Sequence, residues 1–334
     1  MKYVSFGNGE RGFVASQIVL GTHKFGGFGC ADADYQMPDE LCWDILDCYV
    51  AHGGNLIDSA NVYGRCHGGP NSYSEKLIGQ WLKSRGMRDK VFISTKGGHH
   101  DCNCPEVSRV NAADIEYDIC DSLKNLDVDC IDVYSLHRDN ENVPVSEIID
   151  VLNKYVKSGN LRVIGASNWR AARINEANRY AEQNGLVGFS FSQIGYSMAP
   201  IPSSKIGYDG AVCMDDEEYQ AYLKNGLPVM AFSSQAGGFY YINFEKEDNE
   251  ITGRYATPQN IARLHRLRKL CAERAVPPEA IVLAYLTSNK LKTLPLISAD
   301  TVPMLEDMLR YADFVLTQDE ISYIEGNDTA HAVL

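Results

Sequence analysis

Residues 55–64 read Asn55-Leu56-Ile57-Asp58-Ser59-Ala60-Asn61-Val62-Tyr63-Gly64. The start of this stretch, 55–57, predicts a short buried strand that ends on the Asp58 carboxylate and enters a turn carrying Tyr63. Three later apolar runs also end on polar groups. Val91-Phe92-Ile93-Ser94-Thr95 stops at Lys96, Ile131-Asp132-Val133-Tyr134-Ser135-Leu136 stops at His137, and Val163-Ile164-Gly165-Ala166 stops at Ser167-Asn168. Short β-branched runs with helical segments between them predict parallel strands buried on both faces. Polar groups gathered at the carboxyl ends of such strands mark the reactive mouth of a barrel.

Outward from these runs the pattern repeats. Residues 3–16 predict a small hairpin around Gly7-Asn8-Gly9, closing one end. A first barrel strand is expected over 17–20, leaving Gly21-Thr22 at its mouth, and a helix from 38 or 39 to 51, stopped by Gly53-Gly54. Further helices are expected over 74–82, 112–126, 145–157, 171–183, 215–224, 260–274, 278–288 and 302–311. The clearest is 112–126, where Ile115, Ile119, Leu123 and Leu126 recur at spacings of three and four. Strands six to eight fall at 187–193, 227–232 and 293–297. Together these predict an α/β protein: a (β/α)8 TIM barrel with a short N-terminal β-hairpin, forming one domain over 1–334. Two long connections, 197–215 and 233–257, lie at its C-terminal face. Connections of that length are usually functional or disordered. The second carries Phe239, Tyr240, Tyr241 and Phe244 and is expected to fold over a ligand as a lid.

A formal net charge of −13 argues against nucleic acid and anionic membrane as partners, because both would be repelled. The ten cysteines are scattered without a disulfide framework, residues 1–12 lack the apolar stretch of a signal peptide, and no apolar run reaches the ~18 residues of a membrane helix. A reducing cytoplasm is the expected setting.

Asp58, Tyr63, Lys96 and His137 share the expected mouth. An ordinary tyrosine, with a pKa of ~10, is a sluggish acid at neutral pH. An adjacent ammonium would stabilise its phenolate and draw that value down; Asp58 would keep Lys96 charged and aimed, and His137 would polarise a carbonyl. The set suits protonation of an alkoxide as it forms. Taken singly, each residue has an ordinary structural explanation; the order and placement of all four carry the reading.

These motifs resemble those of the aldo-keto reductase superfamily over nearly the whole chain. Residues 57–64 are similar to its Asp-to-Tyr signature, Ser94-Thr95-Lys96 to its lysine motif and Leu136-His137-Arg138 to its histidine motif. The resemblance implies a (β/α)8 barrel, Tyr63 as general acid or base tuned by Lys96 and Asp58, and NADP(H) or NAD(H) as cofactor. It further implies that Ser167, Asn168 and Gln193 hold the nicotinamide carboxamide, that Phe232 stacks on its ring, and that Gly21, Thr22 and Asp58 lie against it. Ser233, Gln235 and Gly237 would supply the pyrophosphate turn, and Ser298, Ala299, Asp300, Met304, Asp307 and Met308 the adenosine end. Many members carry basic residues at that last segment to bind a 2′-phosphate. Here no cation is near in sequence and Asp300 adds a negative charge, so tolerance of or preference for NAD(H) is expected. Arg310, Lys290 or Lys292 would restore phosphate binding if the fold brought one close.

The substrate is expected to be a small carbonyl or alcohol, with Phe25, Tyr63, His99, His137 and Trp169 lining its site, and Arg138 and 239–241 nearby. That mixture suits a sugar, a polyol, a polar aldehyde or an aromatic ketone. His99-His100-Asp101-Cys102-Asn103-Cys104 lacks the paired C-x2–4-C spacing of a zinc site and reads as a substrate-facing loop, with no metal. Residues 64–70 are expected to shape the mouth, with Cys66 close by. Two alternatives to a carbonyl reductase stay open: a nucleotide-binding regulatory relative with little turnover, and a barrel aldolase using Lys96 as a Schiff base.

Overall fold

The chain opens with a hairpin that stops one end of a barrel. β1 (Tyr3–Phe6) and β2 (Phe13–Ser16) pair antiparallel, Tyr3 opposite Ser16 and Phe6 opposite Phe13. Eight parallel strands follow: β3 (Val19–Gly21), β4 (Leu56–Asp58), β5 (Phe92–Gly97), β6 (Ile131–Leu136), β7 (Leu161–Ser167), β8 (Ser192–Gly195), β9 (Val229–Phe232) and β10 (Thr293–Ile297). They close as β10-β3-β4-β5-β6-β7-β8-β9. The structure, a computed structural model, describes residues 1–25, 37–64, 72–101, 103–207, 209–243 and 249–327.

Helices cover the outside: α1 (Asp39–Ala51), α2 (Tyr73–Arg85), α3 (Ala112–Leu126), α4 (Val145–Lys157), α5 (Ala171–Gln183), α6 (Asp216–Asn225), α7 (Glu250–Tyr255), α8 (Pro258–Arg274), α9 (Pro278–Thr287), α10 (Val302–Arg310) and α11 (Gln318–Glu325). No helix of the described residues is long and apolar enough to cross a membrane.

Two buried layers divide the work. The larger lies between strands and helices. The smaller fills the barrel floor, where Val19, Leu56, Val133, Val163, Phe191, Met230 and Leu294 meet Phe6, Phe13 and Ala15 of the hairpin. Phe6 is fully buried there, which stabilises the closure by about 1.5–3 kcal/mol relative to an exposed ring. Arg162 on β7 ties the hairpin down, its guanidinium donating to the carbonyls of Arg11 (2.8 Å) and Gly12 (2.9 Å). Gly165 is required in this interior, because a Cβ would overlap the Phe191 ring.

Strand side chains alternate with a period of two, so each floor residue shares the inward face with the residue two further on. Leu56 is followed by Asp58, Val133 by Ser135, Phe191 by Gln193 and Met230 by Phe232. The interior therefore turns from apolar at the floor to polar at the mouth.

Several expectations shift. The first barrel strand starts at Val19 rather than 17, since the backbone amide of Gln17 donates to the Lys2 carbonyl at 2.8 Å instead of to a barrel strand, while its side-chain Nε2 donates to the carbonyls of Thr287 and Thr293, both at 3.1 Å. The sixth begins at Ser192 rather than 187. The amides of Val187 and Phe189 donate to the side chains of Asn153 (2.9 Å) and Asn178 (2.7 Å), which replace a neighbouring strand. The connection over 233–257 has regular structure in its described parts, 233–243 and 249–257. It contains a 3-10 turn, Ala236–Tyr241, and α7, while Phe239 and Tyr240 are buried. The Tyr240 hydroxyl accepts from the Ala199 amide at 2.9 Å, so this connection is fastened to the other long one. Phe244, and residues 65–70 with Cys66, lie outside the described residues, as does Cys102.

Candidate functional site

The polar ends of the strands converge on one buried ion pair. Lys96 Nζ, on β5, donates to Asp58 Oδ2 and to the Ser59 carbonyl, each at 2.6 Å. Lys96 and Asp58 are 2% and 1% exposed, so neither charge can be answered by water. The other Asp58 oxygen accepts from Ser94 Oγ at 2.8 Å and from Gln193 Nε2 at 3.2 Å, which spans the barrel from β8. Thr22 closes the back, its amide (2.9 Å) and hydroxyl (3.0 Å) both donating to the Asp58 carbonyl.

Tyr63 and His137 stand over this pair. Lys96 Nζ lies 5.1 Å from the centroid of the Tyr63 ring, and the His137 ring meets Tyr63 edge-on at 5.9 Å. The structure thus brings together all four residues expected to share the mouth. Burial depresses Lys96, yet Asp58 and then Tyr63 overcome it and hold the ammonium above its ordinary value. Burial raises the Tyr63 phenol; Lys96 opposes this, Asp58 adds to it, and the balance stays above the ordinary value. The expected fall toward neutrality is therefore corrected: desolvation outweighs the ammonium, and Tyr63 keeps its proton at neutral pH. His137 is pushed well below its ordinary value by burial, then by His99, Arg138 and Lys96. It is a neutral imidazole. Its Nδ1 is buried without a hydrogen-bond partner among the described residues, as is Ser135 Oγ on the same strand's inward face.

His23 was missed by the sequence reading. It follows Thr22 at the mouth of β3, and its ring meets that of Tyr63 at 6.4 Å. Burial, then Lys24 and Lys96, lower its pKa to about 4. The usable signal was its place directly after Gly21-Thr22. The His99 ring lies 4.8 Å from that of His137. Phe25 and Trp169 are both buried, and the ring contacts of Trp169 lead away from the mouth toward α5. Trp169 donates to the Arg138 carbonyl at 2.9 Å and packs edge-on to Phe189, with the Arg173 guanidinium 5.2 Å from its ring. Its indole gains both a partner and apolar contact beneath the surface. Phe239 is likewise a core residue, against Tyr240 and Tyr255.

The residues expected to hold a nicotinamide cofactor continue from the mouth around β7 to β10. Asn168 adopts a left-handed φ of 60° and is locked, its amide donating to the His137 carbonyl (3.0 Å) and Ser167 Oγ (3.2 Å), its Oδ1 accepting from the Val212 amide (3.2 Å). A non-glycine residue held there is strain that the surroundings must enforce. A second such place follows β9: Ser233, Ala236, Gly237 and Gly238 all have positive φ, the kind of turn that forms an anion-holding concavity. Phe232 lies over Gly195, where a Cβ would crowd its ring. Gln235 Nε2 approaches Met308 Sδ at 3.0 Å, joining this turn to α10.

At the adenosine end no cation is near in sequence, as read, but the fold brings in one that the reading did not name. Lys24, 276 positions away in the chain, donates to Asp300 at 2.5 Å. Ala299 is buried and Met304 exposed at the start of α10. Arg310 pairs with Asp307 at 3.1 Å. Lys290 and Lys292 precede β10, and Lys292 reaches the Ser5 carbonyl (3.4 Å) in the hairpin at the floor. Neither lysine serves this end.

The pattern described as the aldo/keto reductase family matches residues 17–328. Among known proteins, the chain is 27% identical to an aldo-keto reductase of Aspergillus calidoustus, over 94% of this chain and 79% of that protein. It is 25% identical to a probable aryl-alcohol dehydrogenase of Saccharomyces cerevisiae, over 87% of this chain and 88% of the relative. It is 27% identical to a norsolorinic acid reductase of Emericella nidulans, over 94% and 78%.

Proposed function

The chain belongs to the aldo/keto reductase family, and on that footing we propose that it reduces an aldehyde or ketone to the alcohol with NADPH or NADH, Tyr63 delivering the proton. The observation that carries this reading is Lys96 held at 2.6 Å from Asp58 while facing the Tyr63 ring, with neutral His137 alongside. When bound, the dihydronicotinamide would supply the hydride. Ser167, Asn168 and Gln193 would hold its carboxamide, Phe232 its ring face, the turn from Ser233 through Gln235 to Gly237 its pyrophosphate, and 298–308 its adenosine. Locked Asn168 and the left-handed residues Ser233, Ala236, Gly237 and Gly238 support that fit.

His137, uncharged, is suited to hold the carbonyl oxygen through a ring nitrogen. Tyr63, carrying its proton at neutral pH, donates to that oxygen as negative charge gathers there, and Lys96 stabilises the phenolate left behind. For the substrate we favour a polar, hydroxyl-bearing carbonyl such as a sugar or polyol derivative, because His23 and His99 add hydrogen-bonding rings to the mouth. The test is fluorescence titration with NADPH and NADH, then turnover of a sugar aldehyde and an aryl aldehyde with each. Binding without turnover on either would sink the reductase reading and favour a regulatory role.

The Lys24–Asp300 pair supports NADH as the tolerated cofactor, since Lys24 is already answered by a carboxylate. Asp300→Asn is expected to free the ammonium for a 2′-phosphate and raise the NADPH-to-NADH ratio of kcat/KM by about tenfold, about 1.4 kcal/mol. An unchanged ratio would remove Lys24 from the argument, and a wild-type preference for NADPH of about a hundredfold would end the NADH reading.

A further inference from the structure

Behind the reacting pair lies a carboxyl that the proton transfer does not use. Glu75, on α2, is 0% exposed. Its Oε1 accepts from Thr95 Oγ1 at 2.6 Å, and its Oε2 from the side-chain amides of Asn61 (3.3 Å) and Asn125 (3.2 Å). Thr95 immediately precedes Lys96 on β5, and alternation points it away from the barrel interior. Asn61 stands two residues before Tyr63, and its backbone amide donates to the Lys96 carbonyl at 2.9 Å. One side chain therefore grips both the strand of the lysine and the turn of the tyrosine.

The groups facing Glu75 from neighbouring elements make that grip dependent on charge. From α3 come Ser122 and the carboxylate of Asp121, which accepts from the same two amides, Asn61 at 2.9 Å and Asn125 at 3.0 Å. From β6 comes the buried Tyr134 phenol, and beyond it Asp118 of α3, which is paired with Arg109. Two carboxyls thus share two amide donors. Burial pushes the Glu75 carboxyl up to about 7; hydrogen bonds from Thr95, Ser122 and Asn125 oppose the rise and Asp121 adds to it. When Glu75 ionises, a second anion faces Asp121 across Asn61, and the Tyr63 turn is the piece between them.

We propose that Glu75 is a positioning residue that clamps the Tyr63 turn to β5, and that its ionisation loosens the clamp. This rests on the reading of Tyr63 and Lys96 as the proton-donating couple. A small displacement of a reacting group can cost on the order of a hundredfold in rate, so the clamp governs kcat rather than cofactor affinity.

The experiment compares kcat and KM of the wild type, E75Q and E75A across the pH range, with Tyr63→Phe as reference. Glutamine keeps the shape and stays neutral, imitating the protonated acid. The wild type is expected to lose about threefold to tenfold in kcat as pH rises through about 7, and E75Q to lack that fall. E75A is expected to lose about tenfold or more at every pH with cofactor KM unchanged. A fall retained in E75Q, or wild-type turnover in E75A, would overturn the proposal. Should E75A not fold, E75Q still decides, with a second readout in thermal stability. A carboxyl whose folded pKa is raised makes the wild type lose stability as pH climbs from the ordinary carboxylate range to about 7 and level off above; E75Q should lack that slope. If Tyr63→Phe keeps full turnover, the reading of the couple fails. If it is inactive while E75A and E75Q behave as the wild type, only the clamp fails.

Discussion

Replacing Tyr63 by Phe is expected to lower the turnover of aldehyde reduction by about 10²–10⁴-fold, the span that a positioned general acid contributes. The change removes one oxygen and leaves a ring of the same size between His23 and His137, so cofactor affinity and thermal stability should stay near wild type. The sign of the pH dependence follows from the same geometry. Burial holds the phenol above its ordinary value, so the acid form persists through neutral pH. Whatever slope other groups impose near neutrality, the reduction rate is expected to fall again only at alkaline pH, whereas oxidation of the alcohol, which needs the phenolate, should rise there. A Tyr63→Phe enzyme with turnover within a few-fold of wild type would remove this residue from the chemistry.

Lys96→Met carries the second large effect, on stability as well as rate. The lysine is one half of a pair that is almost wholly shut off from water, and its removal leaves Asp58 with hydroxyl and amide donors but no cation. Breaking a buried pair by deleting one partner costs about 3–5 kcal/mol. For a chain of this size that corresponds to a melting temperature lower by on the order of 10 °C. Asp58→Asn should cost a similar amount for the mirror reason. The double substitution, which strands neither charge, is expected to lose less than the sum of the singles by on the order of 2 kcal/mol. Additive losses would mean that the two groups are not coupled. Rate should not recover in the double variant, because Tyr63 then has no ammonium to stabilise its phenolate.

What could be read from the chain alone divides along physical lines. The ends of β6, α3, α4 and β10 match expectation because a short, mostly apolar run or a three-and-four repeat marks them locally. The four residues at the mouth were legible because each closes such a run or its following turn. α7 and α11 were missed although both start on capping boxes, Asn249 with Thr252 and Thr317 with Glu320, and the second was open to reading as Thr-x-x-Glu. Trp169 packs against Phe189 and Arg173 because an aromatic residue just past a strand end can turn to either side, and only the helix layer settles which. The Lys24–Asp300 pair and the Glu75 cluster join residues far apart in the chain, and no local pattern announces them. His23 lay in plain sight, one place past a motif that was read.

The hairpin floor has a kinetic consequence. With Phe6 and Phe13 seated across one end and Arg162 fastening them, the described residues leave the opposite end of the barrel as its doorway. Two reactants that share one doorway cannot come and go independently. Whichever lies deeper must arrive first and depart last, so the steady state should follow a compulsory order of addition. Product-inhibition patterns would register that order, and random addition would mean that the two occupy separate sides of the same entrance.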